Sequence, residues 1–158
     1  KAMGLREIVV CASSRGREEL ARKHGADYFI ATKEQNLEEE MKKIHPDGTD
    51  VIIDATGIEE CIQQALRLCK KGGTVVLEGY GRGRIMQIRI DDIHINNLHV
   101  IGAGNNWNMH QKAIELMASG VVDIEDFVSE TMPLDDFEKA ISMVRMRPSG
   151  FVKAEFQP

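Results

Sequence analysis

The chain has 158 residues, of which 42% are hydrophobic and 28% charged, and a formal net charge of −5. This composition is typical of a globular domain with its own core and excludes an intrinsically disordered chain. Because the net charge is acidic, we expect no nucleic-acid partner. No apolar run approaches the roughly 20 residues that span a bilayer, so we expect no membrane partner. The sequence shows no signal peptide, and we therefore expect a cytoplasmic location.

Apolar runs and helical patterns alternate along the chain, separated by short turns. Strands are predicted at 7–11, 27–30, 51–55, 74–78, 98–102, 127–132 and 151–156. Helices are predicted at 16–24, 37–44, 58–69, 91–97, 109–119 and 134–145, and 79–87 is irregular. Asn36 is the predicted N-cap of the second helix, and Gly72 and Gly73 are predicted to end the third. Repeated βα units with continuous apolar strands predict an α/β fold built on a parallel, doubly wound sheet.

The three cysteines, Cys11, Cys61 and Cys69, fall on predicted strand or helix positions. An odd number of cysteines in such positions indicates reduced core thiols, and neither a disulfide framework nor a metal site made of these residues alone.

A Rossmann-like sheet places a glycine-rich turn between its first strand and first helix, where the turn receives the pyrophosphate of a dinucleotide. Glycines at 79–83 and 102–104 follow late strands and do not have this fingerprint. In the strand order 3-2-1-4-5-6 the first strand is central. We therefore predict an incomplete Rossmann-like, doubly wound parallel sheet that lacks its first strand and glycine-rich turn, in a chain that is part of a longer one.

The strand at 7–11 then takes the place of the second strand, whose end lies beside the adenosine ribose. A carboxylate there binds the 2′-hydroxyl of NAD, whereas an arginine accommodates the 2′-phosphate of NADP. This strand is followed by Ala12, Ser13, Ser14 and Arg15, with no acid among them. The pattern favours NADP, with NAD possible. Two plainer interpretations stay open: Ser14 also suits a helix N-cap, and Arg15 and Arg17 also suit a solvated surface.

Ordered segments of the chain resemble the medium-chain dehydrogenase/reductase family, in particular its zinc-dependent alcohol, polyol and threonine dehydrogenase branch. They are GAD at 25–27, DVIIDATG at 50–57, GGTVVLEG at 72–79, MPLDDFEKA at 132–140 and VK at 152–153. The resemblance covers the C-terminal half of the family's members. It implies that 1–120 form a partial NAD(P)-binding domain and that 121–158 form a C-terminal β-α-β segment of the catalytic domain.

The resemblance also implies a set of cofactor-binding residues. They are Ser13, Ser14, Arg15, Arg17, Ala55, Thr56, Gly57, Gly79, Tyr80, Gly104, Asn105 and Asn106. It assigns no catalytic and no metal residue to this chain, and expects zinc only in the missing N-terminal half. The polyol branch tends to carry Arg-Tyr where Asn105 and Asn106 stand, so the resemblance does not point to sorbitol itself as the substrate.

By this resemblance, the chain is the cofactor-binding half of a zinc-dependent, NAD(P)-dependent dehydrogenase that oxidises a secondary alcohol, polyol or sugar to the carbonyl. It would be inactive alone, and its partners would be a small-molecule alcohol or polyol and further copies of itself, in a homo-dimer or homo-tetramer paired through 97–101. Two alternatives stay open: a zinc-independent quinone or enoyl reductase of the same superfamily, and a truncated, non-catalytic nucleotide-binding module.

Overall fold

A computed structural model of the chain describes residues 1–104 and 108–157. The strands are β1 (Val9–Ala12), β2 (Tyr28–Ala31), β3 (Thr49–Asp54), β4 (Cys69–Leu77), β5 (His99–Gly102), β6 (Val128–Pro133) and β7 (Lys153–Gln157). The helices are α1 (Glu18–Lys23), α2 (Leu37–Ile44), α3 (Glu59–Leu68), α4 (Ile90–Asn96), α5 (His110–Ala118) and α6 (Phe137–Met146). Short 3₁₀ turns lie at Arg15–Arg17, Glu125–Phe127 and Leu134–Asp136. Within the described ranges, every helix is too short or too polar to cross a bilayer.

All strand pairs in the described residues are parallel. β1 pairs with β2, the order β3-β4-β5 makes a three-stranded sheet, and β6 pairs with β7. Within the described part of the chain, β1 and β3 each pair with another strand along one edge only. The predicted fold class is therefore confirmed, together with the β-α-β arrangement of β6, α6 and β7.

The chain divides into two compact units, residues 1–35 together with 111–158, and residues 36–110. In the first unit the end of α1 is tied to the C-terminal segment through Asp126. Its carboxylate accepts a hydrogen bond from Lys23 Nζ at 2.5 Å and lies 3.0 Å from His24 Nε2. The predicted boundary at residue 120 stays a prediction.

The second unit is built around α3 and its sheet. Its buried cluster consists of Ile62, Ala65, Leu66, Cys69, Val75 and Leu98. α2 has the bounds that the sequence predicts, and the Asn36 side chain accepts from the Glu39 amide at 3.2 Å. Acids in its first turn and lysines in its last turn complement the helix dipole.

Two local expectations are wrong. The strand that follows α3 starts at Cys69 and includes Gly72 and Gly73, which the sequence placed in a helix stop. The register moves from Thr49 opposite Cys69 to Val51 opposite Thr74, so the glycines lie in an irregularity of a paired strand. Cys11, expected in the core, is exposed at the residue level, whereas Cys61 is half-buried and Cys69 is buried.

Candidate functional site

The carboxyl ends of β1 and β2 are held side by side by backbone hydrogen bonds. The Thr32 amide donates to the Ala12 carbonyl at 2.8 Å, and the Lys33 amide donates to the Ser13 carbonyl at 3.3 Å. Ser13 and Ser14 follow β1 at this edge and are exposed. The two hydroxyls predicted to meet a ribose phosphate are therefore accessible at the end of the strand.

Arg15 lies at the same edge, and its guanidinium is already hydrogen-bonded. Nη1 donates to Glu18 at 2.6 Å, Nε to Glu34 at 2.8 Å and Nη2 to Gln35 at 3.3 Å. The hydrogen bonds to Glu18 and then to Glu34 raise the pKa of Arg15 above its ordinary value. The side chain is nevertheless 48% exposed. The predicted phosphate ligand is thus a solvent-accessible cation held by two carboxylates.

Ser14 and Arg17 occupy different environments. Ser14 is the N-cap residue of the 3₁₀ turn by position, and its side chain makes no capping hydrogen bond there. Its hydroxyl therefore does not cap the backbone amides of the turn. Arg17 donates from Nη2 to the Phe151 carbonyl at 3.2 Å, a contact with the C-terminal segment of the same unit. The structure brings Ser13, Ser14 and Arg15 to the strand end and engages Arg17 elsewhere.

In the second unit, the predicted residues after β3 form a turn around a buried carboxylate. Asp54 is 5% exposed. Its Oδ1 accepts from the Thr56 hydroxyl at 2.6 Å and from the Thr56 amide at 3.2 Å, and Oδ2 accepts from the Gly57 amide at 3.0 Å. The Thr56 hydroxyl also accepts from the Ile58 amide at 3.1 Å. This hydroxyl therefore stabilises the turn.

The structure brings this turn against the residues that follow β4. The amides of Glu78 and Gly79 donate to the Asp54 carbonyl at 2.9 and 2.8 Å. A Cβ on Gly79 would overlap the Gly57 amide nitrogen, and a Cβ on Gly57 would lie 2.7 Å from the Tyr80 carbonyl carbon. Both glycines are needed for the contact between the two loops, because neither position has room for a side chain.

β5 ends at the same edge of this sheet, where the Ala103 amide donates to the Leu77 carbonyl at 3.0 Å. Gly104 is exposed directly after it. The loops after β3, β4 and β5 are thus neighbours at the carboxyl edge, where parallel α/β sheets bind ligands. Asn105 and Asn106 lie outside the described residues.

Sequence reasoning missed two acidic residues of these edges. Asp54 carried a signal, since an aspartate that ends an apolar strand before Ala-Thr-Gly is typical of a side-chain-capped turn. Glu34 carried none, because its contact with Arg15 joins two separate βα turns.

Across 1–104 and 108–157 no group of three or more His, Cys, Asp or Glu side chains is placed to hold a metal ion. The described residues therefore do not fit a zinc centre. The Arg15 cation and the serine hydroxyls at the β1 edge do fit an anionic cofactor group, because arginine and hydroxyl donors are the usual ligands of phosphate.

Relatives of known function cover most of this chain. It is 31% identical to sorbitol dehydrogenase of Bacillus subtilis over 142 residues, which are 89% of the chain and 40% of that protein. It is 26% identical to D-xylulose reductase A of Aspergillus oryzae over 154 residues, 92% of the chain and 42% of that protein. The chain therefore spans about two fifths of the length of these curated relatives.

Solved structures give the same picture. A protein described as a zinc-binding dehydrogenase from Sinorhizobium meliloti, with NADP bound, superposes with a TM-score of 0.84 at 28% identity, covering 98% of this chain and 46% of that one. The 2R,3R-butanediol dehydrogenase of Bacillus subtilis has a TM-score of 0.87 at 23% identity, over 99% of this chain and 45% of that one, and shows the shared fold. The family model for zinc-binding dehydrogenases matches residues 1–119, well over half of the chain, and the chain therefore belongs to the zinc-binding dehydrogenase family.

Proposed function

We propose that this chain is the cofactor-binding half of an NADP-dependent dehydrogenase. The observation that carries the proposal is Arg15, which lies half-exposed at the carboxyl edge of β1, where the strand ends in Ala12 and not in an acid. Ser13 and Ser14 add exposed hydroxyls at that edge. The NADP-bound relative from Sinorhizobium meliloti supports the same cofactor.

In this proposal the residues at the carboxyl edge of β1 supply contacts to the adenosine end of the cofactor. The guanidinium of Arg15 and the hydroxyls of Ser13 and Ser14 would hold the 2′-phosphate through charge-assisted hydrogen bonds. The family resemblance assigns the loops after β3 and β4 to the nicotinamide end. Gly57, Gly79 and Tyr80 would orient the ring through their backbone, since the Thr56 hydroxyl is already bound to Asp54.

The reaction we propose is the reversible oxidation of a secondary alcohol, polyol or sugar to its carbonyl. When bound, the nicotinamide would supply the hydride acceptor, and the residues of this chain would orient it. The sorbitol and xylulose relatives support a polyol as the substrate class. Zinc ligands and the group that takes the hydroxyl proton would lie in residues outside this chain.

We also propose that the protein is a homo-dimer or homo-tetramer. In the described residues β5 pairs with another strand along one edge only, and Ile101 on it is 50% exposed. An apolar strand edge of this kind is a template for pairing with a second copy.

The cofactor assignment is tested by replacing Arg15 with alanine in the intact protein. The variant R15A is expected to weaken NADP binding roughly tenfold to a hundredfold, the loss typical of charged hydrogen bonds, and to leave NAD binding nearly unchanged. Fluorescence titration with each cofactor measures this difference.

A matched control removes an exposed arginine on α6, in the variant Arg145→Ala, which should bind both cofactors as the parent protein does. If R15A binds NADP as tightly as the parent does, Arg15 is not the phosphate ligand and the assignment of NADP loses its support.

A further inference from the structure

We propose that Glu34 is a specificity-determining residue that weakens the preference for NADP. Its carboxylate competes with the 2′-phosphate for Arg15 and can itself accept the ribose 2′-hydroxyl of NAD. This inference rests on the proposed function and assigns a role to a residue outside the β1 strand end.

The two carboxylates on Arg15 are not equivalent. Glu18 accepts from Arg15 at 2.6 Å and also from Arg22 at 2.9 Å, and its side chain is only 22% exposed. Glu34 pairs with Arg15 at 2.8 Å and is 50% exposed. In the described residues Arg15 is its only ion-pair partner. Glu34 is therefore the partner that an incoming phosphate displaces, whereas Glu18 stays in place.

Backbone hydrogen bonds fix the position of Glu34 after β2. The amides of Glu34 and Gln35 both donate to the Ala31 carbonyl at 2.9 Å, and the Gln35 side chain accepts from the Ala31 amide at 3.2 Å. This compact turn follows β2, whose end is bonded to the end of β1. The turn after β2 thus places the Glu34 carboxylate beside Arg15. In other dinucleotide-binding sheets the ribose-binding acid instead follows the strand that corresponds to β1.

The chemistry of the two nucleotides separates at this position. NAD presents a 2′-hydroxyl, which donates a hydrogen bond to a carboxylate and leaves the Arg15–Glu34 pair intact. NADP presents a phosphate that carries close to two negative charges, so it attracts the guanidinium and repels Glu34. Binding of NADP therefore requires Arg15 to exchange Glu34 for phosphate.

The size of the effect follows from exposure. Both side chains of the pair are about half-exposed, and exposed ion pairs contribute little because water and salt screen them. Removing the competition is therefore expected to tighten NADP binding only roughly two- to fivefold. The cofactor that gains from Glu34 is NAD, so the ratio of the two dissociation constants is the sensitive quantity.

The test uses the intact protein with Glu34 replaced by glutamine. E34Q should lower the Kd for NADP roughly two- to fivefold, raise the Kd for NAD, and increase the preference for NADP accordingly. Isothermal titration with adenosine 2′,5′-bisphosphate and with AMP, which differ only in the 2′-phosphate, should show the same change.

The control E19Q makes the same change of charge on α1, where no hydrogen bond or ion pair joins Glu19 to Arg15 in the described residues. It should leave the ratio unchanged.

A double variant decides whether the effect passes through Arg15. In an R15A background, E34Q should no longer improve NADP binding as it does alone. An equal improvement in both backgrounds would show general charge repulsion and overturn the competition.

The outcomes also separate the inference from the function that it rests on. If R15A binds NADP as the parent does, the proposed phosphate site itself fails. If R15A weakens NADP binding but E34Q leaves the ratio of cofactor affinities at the parent value, only the role of Glu34 is overturned.

Discussion

At the residue scale, the Asp54 carboxylate stabilises the turn that connects β3 to α3. It is nearly buried and accepts three hydrogen bonds, two from Thr56 and one from the Gly57 amide. Leaving a buried donor without its acceptor costs more free energy than an intact hydrogen bond contributes. The reason is that the donor has already lost its hydrogen bonds to water. The side chain thus also positions the Thr56 and Gly57 backbone, which lies against Gly79.

We expect D54A to lower the free energy of unfolding by about 2–3 kcal/mol, since it leaves the Gly57 amide without its acceptor. D54N should lie between the parent and D54A, because its single carbonyl oxygen retains part of the hydrogen bonding. Urea unfolding followed by circular dichroism measures the order. The control D50A changes an aspartate of the same strand whose side chain is 81% exposed and pairs with Lys70, and its effect should be close to zero. Equal losses in D50A and D54A would contradict the role of Asp54.

Cys11 gives a pH-dependent prediction at the same scale. Although the residue is exposed, protein atoms around its thiol desolvate the charged form and raise the pKa to about 11. Only the thiolate reacts with iodoacetamide, so the labelling rate in the native protein should rise about tenfold per pH unit and level off only near that pKa. Mass spectrometry of the Cys11 peptide measures the rate. In urea the same peptide should level off near the ordinary thiol pKa, and a native rate that levels off there as well would show that the thiol is not desolvated.

At the scale of elements, local signals predicted some boundaries and long-range pairing decided others. α2 has its predicted bounds because its signals, the Asn36 cap and the charges of its end turns, lie within the helix itself. β4 was predicted too short because its start at Cys69 depends on a register shift against β3. Glycines that suit a helix stop also suit such an irregularity, so Gly72 and Gly73 do not distinguish the two in one sequence.

The candidate site follows the same rule. The ends of β1 and β3 could be located from the sequence, because an apolar run followed by small polar residues marks the carboxyl end of a buried strand. The partners of Arg15 could not, since Glu34 and Gln35 reach it from the turn after another strand. The contact of Gly57 with Gly79 likewise depends on the pairing of β3 with β4.

At the scale of the whole molecule, the outer edge of β5 is where we expect two copies to join. The pairing of β4 with β5 runs from Thr74 opposite His99 to Leu77 opposite Gly102, and uses one edge of β5. A second copy could extend the sheet across the other edge, which would satisfy backbone groups and cover Ile101. A charged side chain at Ile101 would have to be buried in that contact, and burial of an unpaired charge is strongly unfavourable.

The variant Ile101→Lys of the intact protein is therefore expected to shift the assembly toward monomers. Multi-angle light scattering over a concentration series measures the mass. The matched control Ile114→Lys makes the same change at another exposed isoleucine, on α5, and should keep the mass of the parent. A parent protein that is monomeric at all concentrations would rule out pairing through this edge. An Ile101→Lys protein that keeps the oligomeric mass would rule it out as well, because a lysine cannot be accommodated there without weakening an apolar contact between two strands.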